Sequence, residues 1–413
     1  MRILAGKAAA GSVRKIATRS TRYAEVEPAV RRIIADVRRN GDSAVHKHAQ
    51  RWDGLEPEAS LQVSTDEMQR AWKAASSVLK RSLRTAATNI RRFCEMQKPT
   101  QWTHSHKGIS LGQLVRPLNS VGCYVPGGRH PLFSTLLMTA IPAQAAGVEK
   151  IVVVSPKPHP DVLAAAALIG VKEIYRVGGA QAIAALAYGT ETIPRVEKIV
   201  GPGNLYVTAA KKHVSFDCAI DFLAGPTEVL IVSDRGTPEF IAADLVAQAE
   251  HDPEALAVFI TTRRDLAAQV ATSVTKLSNG NTIARRAIRS NGTILISASR
   301  QQSFEWANEI AAEHLTIDRA DLALVRNAGS IFIGDYSPQA AGDYASGPNH
   351  ALPTGGMARF RGGLSVLDFV KLISVQNLSR SGLRQIAPTV VALAEAEGLE
   401  AHAQSIRVRC GHA

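Results

Sequence analysis

The 413-residue chain carries a formal charge of +12, with 46% hydrophobic, 20% charged and 5% aromatic residues. That is the composition of an ordinary globular chain with apolar residues enough for two or more cores, and no apolar run is long enough to span a membrane. The basic residues are spread through helices such as 68–96 and are not interleaved with aromatics, so the charge suits a solvated surface that attracts an anionic cofactor at least as well as it suits nucleic acid.

Cys94, Cys123, Cys218 and Cys410 lie far apart without C-x-x-C spacing, which argues against a disulfide framework or a zinc ribbon and for a reducing compartment, the cytoplasm. Residues 1–23 hold six Lys or Arg and no acid and lack the apolar core of a secretory signal; a solvated N-terminal arm is expected. Val26, Val30, Ile33, Ile34 and Val37 repeat at helical spacing over 24–40, and Asn40-Gly41-Asp42 ends that helix and caps another. Ser64 and Glu67 form a capping box that predicts one long helix through Leu79, Leu83, Ile90 and Phe93. The first hundred residues read as largely helical, and His46-Lys47-His48 and His104-Ser105-His106 read as solvated surface.

From Asn119 short β-branched runs alternate with alanine-rich helices. Strands are predicted at 120–124, 150–154, 173–177 and 198–200, and helices near 133–146, 161–169, 180–188 and 205–213. After a crossing segment, 217–226, the pattern returns with strands at 229–232, 256–261, 293–296 and 330–333, a helix after Thr237, a long helix and another helix. This alternation predicts an α/β fold with two units of parallel sheet, divided as 1–117 (mainly helical), 118–225, 226–340 and 341–413. In the last part 342–363 is Gly- and Pro-rich loop, a short helix near 382–387 is stopped by Pro388, and 390–404 completes a C-terminal arm.

The helix over 237–253 has both ends marked, by Thr237 and Pro238 at one and Pro253 at the other. Ile241 and Leu245 lie on an inward stripe that continues into Gln248 and His251. A buried amide and imidazole left bare would each cost on the order of 1–3 kcal/mol, so they either share ordinary hydrogen bonds or form half of a site for a borderline cation such as zinc. Three glycine loops follow strands: Tyr124-Val125-Pro126-Gly127-Gly128, Gly178-Gly179-Ala180-Gln181 and Gly201-Pro202-Gly203-Asn204. They are either turn punctuation or places where backbone amides approach a phosphate; none completes G-x-G-x-x-G, because Tyr206 stands where the third glycine would be. Glu313-His314 sets a carboxylate beside an imidazole, Asp343 and His350 share the glycine-rich loop, and His402 follows Glu397 on the C-terminal arm.

Eight ordered blocks resemble the histidinol dehydrogenases from about Ile33 onward: V-G-C-Y-V-P-G-G, V-G-G-A-Q-A-I-A-A-L-A-Y-G-T, G-P-G-N, A-G-P-T-E-V-L, D-L-V-A-Q-A-E-H, E-H-L, G-D-Y-A-S-G-P-N-H-A-L-P-T and A-E-A-E-G-L-E-A-H. The resemblance implies two incomplete Rossmann-like domains and a homodimer whose C-terminal arm reaches the partner's site. It implies a zinc held by Gln248, His251, Asp343 and His402, the last lent by the other subunit, and NAD contacted by Tyr124, Gln181 and Asn204. It sets Thr227, His314, His350, Glu397 and His402 around L-histidinol, with Glu313 and His314 catalytic. Thr227 departs from a frequent Ser, and Pro348 from a Thr; Cys123 is read as packing. The alternatives are a sister enzyme acting on another polar alcohol such as a sulfonated diol, and a nucleic-acid-binding protein on the same scaffold; neither membrane nor nucleic acid is the expected partner.

Overall fold

The structure, a computed structural model, describes residues 1–19, 23–127 and 131–411. Gly128, the last glycine of the first loop, and residues 20–22 of the basic N-terminal stretch lie outside them. The rest of that stretch is not a solvated arm. Arg2–Ala5 is a strand, β1, and Gly6–Ala17 a helix, α1. β1 adds in parallel to the edge of a sheet built from the second half of the chain, Ile3 opposite Ile294. Ala9, Val13 and Ala17 give α1 a buried stripe at helical spacing, which the count of cations hides.

α2 (Glu27–His48) buries Val30, Ile33, Ile34 and Val37 and kinks at Gly41, whose φ of 49° and ψ of −131° suit only glycine. His48 is not on the surface as expected: it is buried at the end of α2, 2.9 Å from an Asp36 carboxylate oxygen and stacked on Trp52. The single helix expected after Ser64 is two, α3 (Thr65–Ala74) and α4 (Ser77–Met96), because Ala75 turns extended and Ser76 supplies a second cap, its Oγ accepting the Leu79 N–H at 3.1 Å. β2 (Trp102–His106) and β3 (Ile109–Pro117) then pair as an antiparallel hairpin, with His104 and His106 exposed.

The first parallel sheet follows the predicted alternation: β4 (Ser120–Tyr124), α5 (Phe133–Ala146), β5 (Lys150–Val154), α6 (Pro160–Ile169), β6 (Glu173–Tyr175), α7 (Gly179–Tyr188), β7 (Lys198–Val200), α8 (Leu205–Val214) and β8 (Ala219–Ile220). Its order is β6-β5-β4-β7-β8, all parallel, so the direction of winding reverses between β4 and β7. α7 is buried from Ala180 to Ala187, and its small residues let α2 lie close against it.

The second sheet takes β9 (Glu228–Val232), α9 (Pro238–Ala249), β10 (Leu256–Thr261), α10 (Arg264–Ser278), α11 (Thr282–Asn291), β11 (Gly292–Ile296), α12 (Arg300–Ile310), β12 (His314–Ile317) and β13 (Ser330–Ile333) in the order β1-β11-β10-β9-β12-β13. The long helix expected after β10 is broken at Asn281, whose side chain caps α11 by accepting from the Ile283 and Ala284 amides. Each sheet has apolar clusters on both faces, which is why its strands are apolar throughout and do not alternate.

The glycine-rich segment begins inside a short helix, α13 (Gln339–Tyr344). β14 (Val370–Leu378), not expected from the sequence, returns to pair antiparallel with β3 along nine residues, so that β14, β3 and β2 form a small third sheet. α14 (Arg380–Ala396) runs through Pro388 and is not stopped by it. Proline in a helix removes one backbone bond, and α14 keeps its course because α15 (Glu400–Cys410) packs along it. Among the described residues no helix is long and apolar enough to cross a membrane.

Candidate active site

Glu313 and His314 stand where β12 begins, beside the start of β9, and so on the amino edge of the second sheet. In open parallel sheets ligands usually bind at the carboxyl ends, at the reversal of strand order. Here that carboxyl edge is filled by its own side chains: Ser233 Oγ donates to Asp318 and accepts from the Arg235 and Gly236 amides, and Asp234 accepts from Thr261 Oγ1 at 2.8 Å and from the Thr262 N–H at 2.7 Å.

On the amino edge Glu313 Oε2 accepts from the Thr227 hydroxyl at 2.6 Å and from the Glu228 N–H at 2.8 Å. Thr227 Oγ1 accepts in turn from Gln248 Nε2, which spends the amide nitrogen of this buried side chain and leaves its oxygen for another partner. Thr227, Gln248 and Glu313 are therefore one connected group. The His314 ring is buried, with Nδ1 3.1 Å from the Glu228 carbonyl oxygen, an arrangement that assigns the Nδ1 proton to that bond. Its Nε2 has no hydrogen-bond partner and lies 3.5 Å from Asp343 Oδ1. Burial alone favours the neutral ring, but the carboxylates of Glu313 and Asp343 outweigh it and raise the imidazole well above its usual range. Burial pushes the Asp343 carboxyl up, and the neighbouring rings of His314, His350 and His251 reverse that and hold it below its ordinary value. His350 Nδ1 is 2.8 Å from the Asp343 carbonyl oxygen and its Nε2 3.5 Å from Thr135 Oγ1 on α5, so the glycine-rich loop ties the two parallel-sheet units together beside His314.

α9 starts at Pro238 as expected, though the Thr237 hydroxyl donates to Asp335 and not into the cap. The helix stops at Ala249. His251 lies beyond it and is exposed, so only Gln248 of the pair is a buried polar group. Glu397 ends α14 and His402 lies on α15; both are exposed, and neither side chain makes a hydrogen bond or ion pair. Among the described residues no group of three or more His, Cys, Asp or Glu is gathered as a metal site, so the single chain does not assemble the expected four ligands. What one chain does offer is the uncommitted amide oxygen of Gln248, and the imidazoles of His251 and His314 about the Asp343 carboxylate. Those donor types fit a borderline divalent cation, and the unpartnered His314 Nε2 marks room for a further polar group.

The residues expected to meet NAD stand at the carboxyl edge of the first sheet, at its reversal point. Tyr124 ends β4, buried, with its hydroxyl accepting the Gly179 N–H at 3.1 Å. Gln181 opens α7, and Asn204 caps α8, its Oδ1 accepting the Val207 N–H at 3.1 Å. These three therefore share the end of one sheet. Asp53, which the sequence did not single out, accepts from the Gly178 N–H at 2.9 Å and from Gln181 Nε2 at 3.1 Å and so orients that amide. Beneath the Gly201 turn a buried Lys211–Asp221 pair grips the backbone: Lys211 Nζ donates to the Gly201 carbonyl at 3.0 Å and the Gly201 N–H donates to Asp221 Oδ2 at 2.7 Å. Cys123 is buried and its thiol is pushed up to about 12 by burial, which keeps it protonated and bears out its reading as packing. A cleft of about 730 Å³ opens at the amino edge of the second sheet, walled by Arg2, Lys15, Asn204, Glu228 and Gly355 among others.

Comparison with known proteins decides what this arrangement belongs to. The family model described as histidinol dehydrogenase matches residues 16–410. The chain belongs to the histidinol dehydrogenase family. It is accordingly an oxidoreductase, and the match starts earlier than the Ile33 from which the resemblance is legible by eye. The histidinol dehydrogenase of Methanothermobacter thermautotrophicus is 50% identical over 391 residues, covering 91% of this chain and 92% of that protein. That of Geobacter sulfurreducens is 47% identical over 401 residues, covering 93% of each. The crystal structure of histidinol dehydrogenase from Elizabethkingia anophelis superposes with a TM-score of 0.94 at 35% identity, covering 99% of this chain and 98% of that one. The α/β architecture with its parallel sheets is thus the architecture of a solved histidinol dehydrogenase.

Arg19 and Glu228 also escaped the sequence reading. Glu228 was visible as a lone charge opening the apolar run E-V-L-I-V, and a charge in such a strand needs a buried partner. Nothing local points to Arg19 as that partner, since 209 residues separate them.

Proposed function

We propose that the chain oxidises L-histidinol through L-histidinal to L-histidine with two NAD, the closing steps of histidine biosynthesis, as a homodimer in the reducing cytoplasm. The observation that carries this reading is the Glu313–His314 pair: a carboxylate and an imidazole held side by side by the backbone of Glu228, with His314 Nε2 unpartnered among the described residues. In this reading the first sheet is an incomplete Rossmann-like unit that binds NAD, with Tyr124, Gln181 and Asn204 at its reversal point. Gln248, His251 and Asp343 would hold a zinc ion together with the partner subunit's His402, and a bound zinc would supply placement of the substrate. Support for the shared site comes from the exposed apolar side chains of the third sheet and C-terminal hairpin, Leu111, Leu372, Ile373, Leu393, Leu399 and Val408, which suit a surface that packs on a second copy.

The chemistry falls to two side chains. A cation held by Asp343 would offset one of the two carboxylates that raise the His314 ring, so that Nε2 takes the alcohol proton with Nδ1–H kept on the Glu228 carbonyl. Bound NAD would supply the hydride acceptor. Glu313 Oε2 is held by two donors, so Oε1 is free to draw a proton from the water that adds to the aldehyde. Thr227, Glu397 and His350 surround the substrate, Glu397 facing its ammonium. For Glu313→Gln, the second oxidation, measured on L-histidinal, falls by about 10²–10⁴-fold while the first is spared to within about tenfold. An equal loss of the two half-reactions would contradict the assignment of Glu313 to the water.

A further inference from the structure

We propose that Glu228 and Arg19 are positioning residues for the acid–base pair: Glu228 sets both Glu313 and His314 through its backbone N–H and C=O, and Arg19 holds Glu228. This rests on the reading of Glu313 and His314 given above. The Glu228 N–H donates to Glu313 Oε2 at 2.8 Å and the Glu228 carbonyl oxygen receives His314 Nδ1 at 3.1 Å. One residue therefore sets the turn of the carboxylate and the tautomer of the ring. A shift of the backbone at Glu228 would move the reacting atoms of both side chains together.

The Glu228 side chain is anchored on every side. Oε1 accepts from Arg19 Nε at 2.6 Å and from the Gly355 N–H at 2.8 Å, and Oε2 accepts from Arg19 Nη2 at 2.5 Å and from the Glu313 N–H at 3.3 Å. Arg19 is fixed in turn, its Nη1 donating to the Ile16 carbonyl at 2.7 Å and to the Ile310 carbonyl at 3.0 Å. The side chains are 19% and 4% exposed, so this is a buried forked pair. A surface pair would constrain little, whereas a buried one that loses a partner leaves a bare charge that must rearrange its surroundings. Those surroundings are the Glu313 peptide and, through Gly355, the loop that carries Asp343 and His350. Neither Arg19 nor the Glu228 carboxylate touches Glu313 Oε1 or His314 Nε2, the atoms that exchange protons, so the effect is on placement.

The experiment compares Arg19→Met, Glu228→Gln, the double variant and Arg19→Lys in the full-length protein, by steady-state oxidation of L-histidinol alongside thermal unfolding and circular dichroism. Each of the two single removals lowers kcat by about 10- to 100-fold, as misplacement of reacting groups does, while KM for L-histidinol and for NAD stays within about threefold. The double variant regains part of the loss because no charge is left buried alone, and Arg19→Lys falls between parent and Arg19→Met. Folded single variants with kcat within about twofold of the parent, or with a raised KM and an unchanged kcat, overturn the proposal. If Arg19→Met does not fold, Glu228→Gln and Arg19→Lys decide on the same criteria. Glu313→Gln is assayed in parallel: if it keeps both half-reactions, the reading of the pair fails and this inference with it, whereas an impaired Glu313→Gln beside unimpaired Arg19 and Glu228 variants sinks this inference alone.

Discussion

Gln248 and His251 illustrate how far a residue's neighbours in sequence determine its role. Their spacing suggested a matched buried pair, yet Gln248 lies inside the last turn of α9 with its amide nitrogen on Thr227, while His251 lies past the helix end in the open. An exposed imidazole with a carboxylate near it is free to enter a coordination sphere without breaking anything. His251→Ala is therefore expected to fold with an unchanged unfolding midpoint in the metal-free state and to lose bound zinc, from about one per subunit toward none, together with activity. Metal analysis of the purified variant checks this; full zinc content would remove His251 from the ligand set. The residues legible in the sequence, Glu313, His314, Asp343 and Tyr124 among them, were legible because they lie in blocks that resemble a family. Arg19, Asp53, Lys211 and Asp221 were not, because each acts through a contact with a distant or inward-facing partner that leaves no local pattern.

At the level of elements, periodicity located nearly all the strands and helices of both parallel sheets, and it failed where the cause was a single residue. Ser76 and Asn281 each start a new helix inside what reads as one, and Pro388 fails to end a helix that α15 supports. β14 escaped because it lies on the small antiparallel sheet with most of its side chains exposed, so no apolar face announces it. The turn after β7 shows what an element of four residues can demand. Gly201 has a φ of +112°, and a Cβ there would run into the Tyr124 carbonyl oxygen. The backbone can neither relax away, since Lys211 and Asp221 hold it, nor accept the methyl. Gly201→Ala is expected to lower the unfolding midpoint and to weaken NAD binding by about tenfold or more, as calorimetric titration would read. Unchanged NAD affinity would place the cofactor elsewhere.

For the molecule as a whole, the two parallel sheets do different things with their ends. The first carries Tyr124 and Asn204 at its reversal point, and the second fills its own with Ser233, Asp234 and Asp318 and carries Glu313 and His314 on the opposite edge. A rule about sheet ends read from strand order alone would pass over Glu313 and His314. In the proposed homodimer the exposed Glu397 and His402 would be groups offered to a neighbour. If the partner subunit's His402 completes each metal site, then His251→Ala and His402→Ala, each inactive alone, should complement after mixing and reassociation. Random pairing gives half heterodimers, each with one intact site of two, so activity returns to roughly a quarter of the parent value. No recovery from a mixture shown to exchange subunits would mean that each chain builds its site alone.

The placement of β1 beside β11 also has a bearing on how the polypeptide is made. Its docking edge, Gly292–Ile296, emerges from the ribosome almost 300 residues later, on the order of 15–60 s at ordinary elongation rates. Throughout that interval β1 waits without its edge partner, while the strands of the first sheet are already made and lack only late core residues such as Leu364, Val366 and Phe369. Acquisition of catalytic competence is thereby deferred at least until β11 has been made and β1 is captured beside it.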